Sequence, residues 1–218
     1  MSSANGQGIA HGVEVMRAAK AAVRTAIESR LAGMTTENKA EQSQQVLRKL
    51  LQHPSYVRST SVAVFLSTAA EVDTRPVLAA LFSSGKACFV PRYAYGKAAK
   101  ERTAKGLPGM EMVLLRDMQD FEALPTTPWG IPQPAMDEPR HQPGQGGLPP
   151  LDLVLMPGVG FTTRGDRLGH GMGFYDKFLA ALPAPKPATI ALAFREQVVD
   201  ELPTTDRDYT VDAVLTAD

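Results

Sequence analysis

Only one cysteine, Cys88, occurs in the 218 residues, which excludes a disulfide framework and a cysteine-built metal cluster. It lies in the apolar run Ala87-Cys-Phe-Val90, where a free thiol in a reducing compartment serves as a small buried hydrophobe rather than a nucleophile. Net charge is equally missing: 23 Lys and Arg balance 23 Asp and Glu, so no basic field points to nucleic acid or to a membrane surface. No apolar run approaches the ~20 residues of a transmembrane helix, and the first fourteen residues lack the apolar core of a secretory signal. They are expected to form a disordered tail at 1–14. The expectation is a cytoplasmic, monomeric protein without nucleic-acid or membrane partners. Acidic residues are absent before Glu14, and Arg17, Lys20 and Arg24 follow, a pattern that also suits a mitochondrial presequence. There are no internal repeats.

What the chain does contain is alternation. Val15, Ala19, Val23, Ile27 and Leu31 recur at helical spacing, predicting a helix over Val15–Leu31 with Arg17, Lys20, Arg24 and Glu28 on another face. Thr36 caps a second predicted helix, Glu37–Leu51, which Pro54 stops. Apolar runs at Ser61–Leu66, Ala87–Val90, Leu151–Met156, Thr189–Phe194 and Val211–Leu215 read as strands, with helices at Arg75–Phe82 and Phe174–Leu182 between them. Such alternation predicts an α/β fold of one domain, 15–218, with a largely parallel twisted sheet and helices on both faces. Two segments interrupt it. The basic stretch 96–109, with Lys97, Lys100, Arg102 and Lys105 against Glu101, reads as a solvated mobile loop, and the Pro- and Gly-rich stretch 125–150 as a surface loop crossing the sheet edge. Trp129, the only tryptophan, sits in the second loop, where by itself it reads as a hydrophobic peg anchoring that loop.

The segment richest in chemistry follows the strand Leu151–Met156: Pro157-Gly-Val-Gly-Phe161, then Arg167-Leu-Gly-His-Gly-Met-Gly-Phe-Tyr-Asp176 leading into a helix. Alternating glycines let backbone N–H groups approach an anion, and a following helix adds unpaired donors. Taken alone, the pattern suits a phosphate cradle or a tight turn. It is not a Walker loop, because no Gly-Lys-Ser/Thr follows, and its glycines are not spaced as in the dinucleotide fingerprint. Arg167 at its entrance and Tyr175-Asp176 at its exit favour a magnesium nucleotide.

These residues resemble the signature of the 5-formyltetrahydrofolate cyclo-ligase family. Other stretches resemble it in the same order: Lys20 and Arg24, Phe65-Leu-Ser67 before Glu71-Val-Asp-Thr74, Pro91-Arg-Tyr93, Trp129-Gly-Ile-Pro-Gln-Pro134, Ala191–Gln197 and Asp208–Leu215. The resemblance implies ATP-dependent conversion of 5-formyltetrahydrofolate, including polyglutamylated forms, to 5,10-methenyltetrahydrofolate, with release of ADP and phosphate. It further implies ATP contacts from Lys20, Arg24, Arg167, Leu168, Gly169, His170, Gly171, Met172, Gly173, Phe174 and Tyr175. A folate pocket of Leu66, Glu71, Tyr93, Trp129, His170 and Phe174 follows from the same likeness, as do catalytic roles for Glu71, Arg167 and Tyr175 and magnesium ligation by Asp176 and Asp208.

His170 and Met172 stand where family members often carry Arg and Lys, and Phe174 where Tyr is common. Loss of an electrostatic stabiliser can cost on the order of 3 kcal/mol in a transition state. Arg195 and a protonated His170 are the candidate replacements. A non-catalytic folate- or nucleotide-binding module on the same fold is the alternative function.

Overall fold

The structure is a computed structural model that describes residues 4–206 and 208–218, with side chains from residue 12 onward. Its elements run α1 (Ala4–Ala32), α2 (Thr36–Gln52), α3 (Pro54–Arg58), β1 (Ser61–Ala63), α4 (Arg75–Ser83), β2 (Ala87–Tyr93), α5 (Gly96–Ala104), β3 (Met110–Leu115), α6 (Met118–Glu122), β4 (Leu153–Met156), β5 (Gly160–Phe161), β6 (Arg167–Leu168), α7 (Phe174–Ala181), β7 (Ala188–Leu192) and β8 (Ala213–Leu215), with a 3-10 turn at Arg195–Gln197.

Six strands form one sheet in the order β3-β2-β1-β4-β7-β8. All pairs are parallel except β2 with β3. The parallel strands read as unbroken apolar runs because both faces are covered: β1 and β4 are buried at every position. Strand order reverses between β1 and β4, and ligands of doubly wound sheets bind beyond the carboxyl ends of strands at such a switch. From β1 the chain runs toward Glu71; from β4 it runs into Pro157 and the small antiparallel pair β5-β6.

The α/β alternation is as expected, with local corrections. Thr35, not Thr36, caps α2: its hydroxyl accepts from the Asn38 N–H at 3.1 Å, leaving Thr36 as the first helical residue. Helix α1 begins at Ala4, so residues 4–14 of the expected tail are helical, while 1–3 lie outside the described residues. A helix nucleated where it is docked extends at the cost of one residue per hydrogen bond. Docking starts late: Val15 and Ala19 are exposed, and only Val23, Ile27 and Leu31 of the stripe meet the core.

The basic loop expected at 96–109 is half helix, α5. Ala98, Ala99, Lys100, Glu101 and Arg102 are strong helix formers, Lys97 and Glu101 pair at i,i+4 across 3.7 Å, and only 105–109 remain irregular. Strand β3 was not anticipated, because sixteen residues of loop and helix separate it from β2 and no hairpin turn announces the pairing. By contrast, 125–150 contains no helix or strand, and it lies along the β3 edge, where the Leu114 N–H donates to the His141 carbonyl at 2.9 Å.

Candidate active site

The turn after β1 is stiffened by Ser67 and Thr74. The Ser67 N–H donates to Thr74 Oγ1 at 3.2 Å, and the Thr74 N–H to Ser67 Oγ at 3.1 Å. This closed turn presents Glu71. Its Oε2 accepts from the Thr68 N–H at 2.8 Å and the Thr68 hydroxyl at 3.0 Å, leaving Oε1 4.0 Å from His170 Nε2. One carboxylate oxygen is thus fixed and the other faces the glycine loop.

After β4 the chain turns through Pro157 and Gly158 and is pinned by Gln197. The buried Gln197 amide donates to the Gly158 carbonyl at 2.7 Å, while its Oε1 accepts from the Phe194 N–H at 2.8 Å. The glycine loop is shaped by its neighbours. A Cβ on Gly169 would lie 2.9 Å from Arg167 Nη1, so a side chain there would displace that guanidinium from its present position. Gly171, at φ +99°, adopts backbone that side chains resist and faces the Arg24 guanidinium.

Arg24 and Arg167 contact this loop, and Lys20, one helical turn before Arg24, pairs with Asp208. Arg24 Nε donates to the Gly169 carbonyl at 2.8 Å. Lys20 Nζ lies 2.7 and 2.5 Å from the two oxygens of Asp208. Arg167, almost fully buried, donates from Nη2 to Asp176 Oδ1 at 2.7 Å and from Nη1 to the Pro157 carbonyl at 3.2 Å, while its Nε has no partner. The Tyr209 N–H also donates to Asp176 Oδ1, at 3.0 Å. Both bonds fall on one oxygen, so Asp176 Oδ2 is left for another partner. Burial would raise the Asp208 carboxyl, but hydrogen bonds from Lys20 and Thr205 override it and hold it below the usual range.

Two tyrosines complete the centre. The Tyr175 hydroxyl is buried with no partner in hydrogen-bond geometry, although the Tyr93 hydroxyl is near enough to influence its titration. Burial first, then Tyr93 and Glu71, push Tyr175 well up; Tyr93 is pushed up by burial too. Both are neutral phenols at physiological pH. The Tyr93 ring lies 5.2 Å from that of Phe174 at the start of α7, and Leu66 is buried in the segment that follows β1.

Sequence-predicted residues from five separate segments therefore meet: Lys20 and Arg24, Glu71, Tyr93, Arg167 to Asp176, and Asp208. Trp129 is 61% exposed and rests edge-on against Tyr95 at 5.1 Å, which rules out the buried peg. Met172, 65% exposed, points to solvent. Arg195 does not replace the absent loop cations: its guanidinium is held by the Asp218 carbonyl and its N–H by Gln42 Oε1. Among the described residues no cluster of three or more His, Cys, Asp or Glu could hold a metal. Gln197 and Gln133, both buried and both bonded to site backbone, were not singled out as functional; their only signal was a polar amide inside motifs rich in apolar residues and proline.

A family model described as the 5-formyltetrahydrofolate cyclo-ligase family matches residues 16–217. The chain belongs to this family. It is 35% identical to 5-formyltetrahydrofolate cyclo-ligase of Mus musculus, covering 93% of this chain and 96% of that one. It is 30% identical to the enzyme of that name from Escherichia coli K12, covering 87% and 96%. Among solved structures, the 5,10-methenyltetrahydrofolate synthetase of Aquifex aeolicus superposes with a TM-score of 0.67 at 25% identity over 91% of each chain. As a member of the family the protein is an ATP-dependent ligase that converts 5-formyltetrahydrofolate to 5,10-methenyltetrahydrofolate. Among the described residues no helix is long and apolar enough to cross a membrane.

Proposed function

We propose that Lys20, Arg24, Arg167 and the loop from Leu168 to Gly173 hold the phosphates of ATP, that Phe174 and Tyr175 border them, and that Leu66, Glu71, Tyr93, Trp129, His170 and Phe174 form the folate pocket. The observation that carries this reading is the reach of α1: Lys20 contacts Asp208 and Arg24 contacts Gly169, residues 188 and 145 positions away. Both cations are brought from α1 to the glycine-loop end of the sheet, where an anion held by the loop would meet them.

An amide oxygen is a poor leaving group. Phosphoryl transfer from ATP to the formyl oxygen makes it a good one and releases ADP. N10 then attacks the formyl carbon, the carbon–oxygen bond breaks, and phosphate departs. Closure within one bound molecule has the advantage of an intramolecular reaction, so the protein chiefly positions groups and stabilises charge. Arg167 faces the charge developing on the transferred phosphoryl group. Tyr175, a neutral phenol without a partner, donates a hydrogen bond to substrate oxygen. Glu71, with Oε2 fixed and Oε1 open toward the loop, accepts the proton that N10 loses.

Asp176 and Asp208 would hold magnesium. They offer the oxygen ligands it prefers, and Asp176 Oδ2 is clear of the bonds to Arg167 and Tyr209. Asp208 must exchange Lys20 for the metal. Lys20, released from Asp208, would be free to pair with a phosphate oxygen. Bound there, magnesium would neutralise charge on the phosphates. We also assign a monomer in the cytoplasm, a reducing compartment that suits a chain whose single thiol, Cys88, is buried and unpaired.

The test is methenyl-folate formation from the 5-formyl substrate with and without MgATP. The expected outcome is ATP-dependent product with an equal amount of phosphate. Product formed equally fast without ATP would overturn the reading.

A further inference from the structure

We infer that Gln133 is a positioning residue for the reaction, setting Tyr93 and Trp129 as one unit; the inference rests on the folate pocket proposed above. Its side-chain amide binds both peptide groups of one residue. The Tyr93 N–H donates to Gln133 Oε1 at 2.9 Å, and Gln133 Nε2 donates to the Tyr93 carbonyl at 3.0 Å. Gln133 is itself 4% exposed.

The sheet explains why this contact is needed. Strand β2 pairs with β3 through Tyr93, opposite Met110, but its last partner on β1 is Phe89 opposite Ala63. In an antiparallel pair successive residues turn their peptide groups to opposite edges. The Ala94 N–H bonds the Gly109 carbonyl on the β3 side, so the peptide groups of Tyr93 face the edge that β1 has already left. Unpaired buried peptide groups are strongly disfavoured. Gln133 fills the gap in place of a neighbouring strand.

Gln133 is also the root of the turn that carries Trp129. Its N–H donates to the Pro125 carbonyl at 2.9 Å, Thr126 bridges Pro132, and the Gly130 N–H closes the tip onto the Thr127 carbonyl at 2.9 Å. One amide therefore joins the turn bearing Trp129 to the strand end bearing Tyr93. Tyr93 in turn lies against Phe174, on the helix that leaves the glycine loop. Without this join, the aromatic wall of Tyr93 and Phe174 and the turn bearing Trp129 would move independently.

The experiment is a double-mutant cycle with Gln133→Ala and Tyr93→Ala, measuring KM for 5-formyltetrahydrofolate and for ATP separately. Gln133→Ala should raise the folate KM about tenfold and change the ATP KM by less than about twofold. In the Tyr93→Ala background, where the peptide groups that Gln133 binds remain but the ring they position is gone, Gln133→Ala should add less than about twofold. Gln133→Glu keeps the acceptor and loses the donor, so it should fall between. Trp129 is the only tryptophan, and its fluorescence anisotropy should drop in Gln133→Ala whether or not turnover survives. A further tenfold loss in the Tyr93→Ala background, equal rises in both KM values, or unchanged anisotropy would overturn the inference. A Tyr93→Ala protein with normal folate KM would overturn the pocket reading and this inference with it; a normal ATP requirement in that variant would leave the assigned reaction standing.

Discussion

Two clusters of ion pairs occupy different parts of the protein, and their contrast separates what holds the fold from what does chemistry. On the β3 edge, beneath the loop 125–150, Glu111 accepts from Arg92, Arg102 and Gln142, and Asp120 from Arg140 and Arg116. These acids are nearly buried and each is held by several donors, so nothing arriving from solvent can replace a partner. Around the glycine loop the pairs are fewer and more open. Lys20 and Asp208 are each partly accessible, Asp176 keeps an oxygen clear, and Arg167 Nε and the Tyr175 hydroxyl have no partner. Surplus bonding capacity in a buried setting is expected where a ligand is to complete the set. At the edge the two acids are saturated, although Arg140 Nε is without a partner there too; at the loop an acid oxygen and a buried hydroxyl are open as well, so that cluster can exchange partners.

The largest effect should come from Arg167→Met. It removes the buried cation nearest the proposed phosphoryl transfer while keeping much of the volume, and kcat/KM should fall about 10²- to 10³-fold. Unfolding midpoints should move far less than activity does. Activity within tenfold of the parent would place Arg167 with the edge cluster, as a structural residue.

Asp120→Ala tests the opposite pole. It leaves Arg140 buried without its bidentate acid, and losing one partner of a buried pair costs about 3 kcal/mol of stability. Urea unfolding should show that loss, while kcat at 25 °C stays near the parent value. Acid should mimic the mutation. Burial alone would raise the Asp120 carboxyl, but hydrogen bonds from Arg140 and Arg116 hold it far below the ordinary range. A carboxyl lowered on folding stabilises the native state above its unfolded pKa, and that contribution fades as pH falls through the folded one. The parent should therefore lose stability below about pH 4, a slope that shrinks in Asp120→Ala.

The two clusters were unequally legible in the sequence. The loop cluster was readable because its residues sit in motifs whose glycine spacing and flanking charges carry a physical meaning, and most of the α/β order was readable because apolar runs and helical stripes alternate. The edge cluster was invisible: Arg92 meets Glu111 only because β3 pairs with β2, and that pairing had no turn to announce it. Misreading 96–109 as a mobile loop had the same root. Arg102 looked like one of four solvated cations, yet it bonds Glu111 and the Pro108 carbonyl and ties α5 to the sheet. Charge in a sequence does not say who its partner is.

A smaller effect should come from the proposed metal pair. Asp176→Asn and Asp208→Asn keep size and remove charge, and each should weaken MgATP use about tenfold with near-normal stability. If the acids share one ion, the double variant should be much less impaired than the product of the single losses, because a broken site cannot be broken twice. Multiplicative losses, or an unchanged magnesium dependence in Asp176→Asn, would mean that these acids only hold Arg167 and Lys20.

The smallest expected effect concerns the exposed cations of α5 and the turn after it. Tyr95, which precedes α5, packs edge-on against Trp129, so Lys97, Lys100 and Lys105 lie on the segment next to the aromatic tip, exposed to solvent. We propose that they attract the anionic glutamate tail of a polyglutamylated folate. Arg102 is excluded from this group, since its bonds to Glu111 make it part of the edge cluster. Neutralising the three lysines to Gln should raise KM for a polyglutamylated substrate about threefold, leave KM for the monoglutamate nearly unchanged, and lose its effect at high salt, where exposed charges are screened within a few ångströms. Adding Arg102→Gln should instead lower stability, as a cut into the saturated cluster would. An equal change in KM for both substrates would make the lysines an ordinary solvated face, and a selective change that survives high salt would point to direct contact rather than long-range attraction.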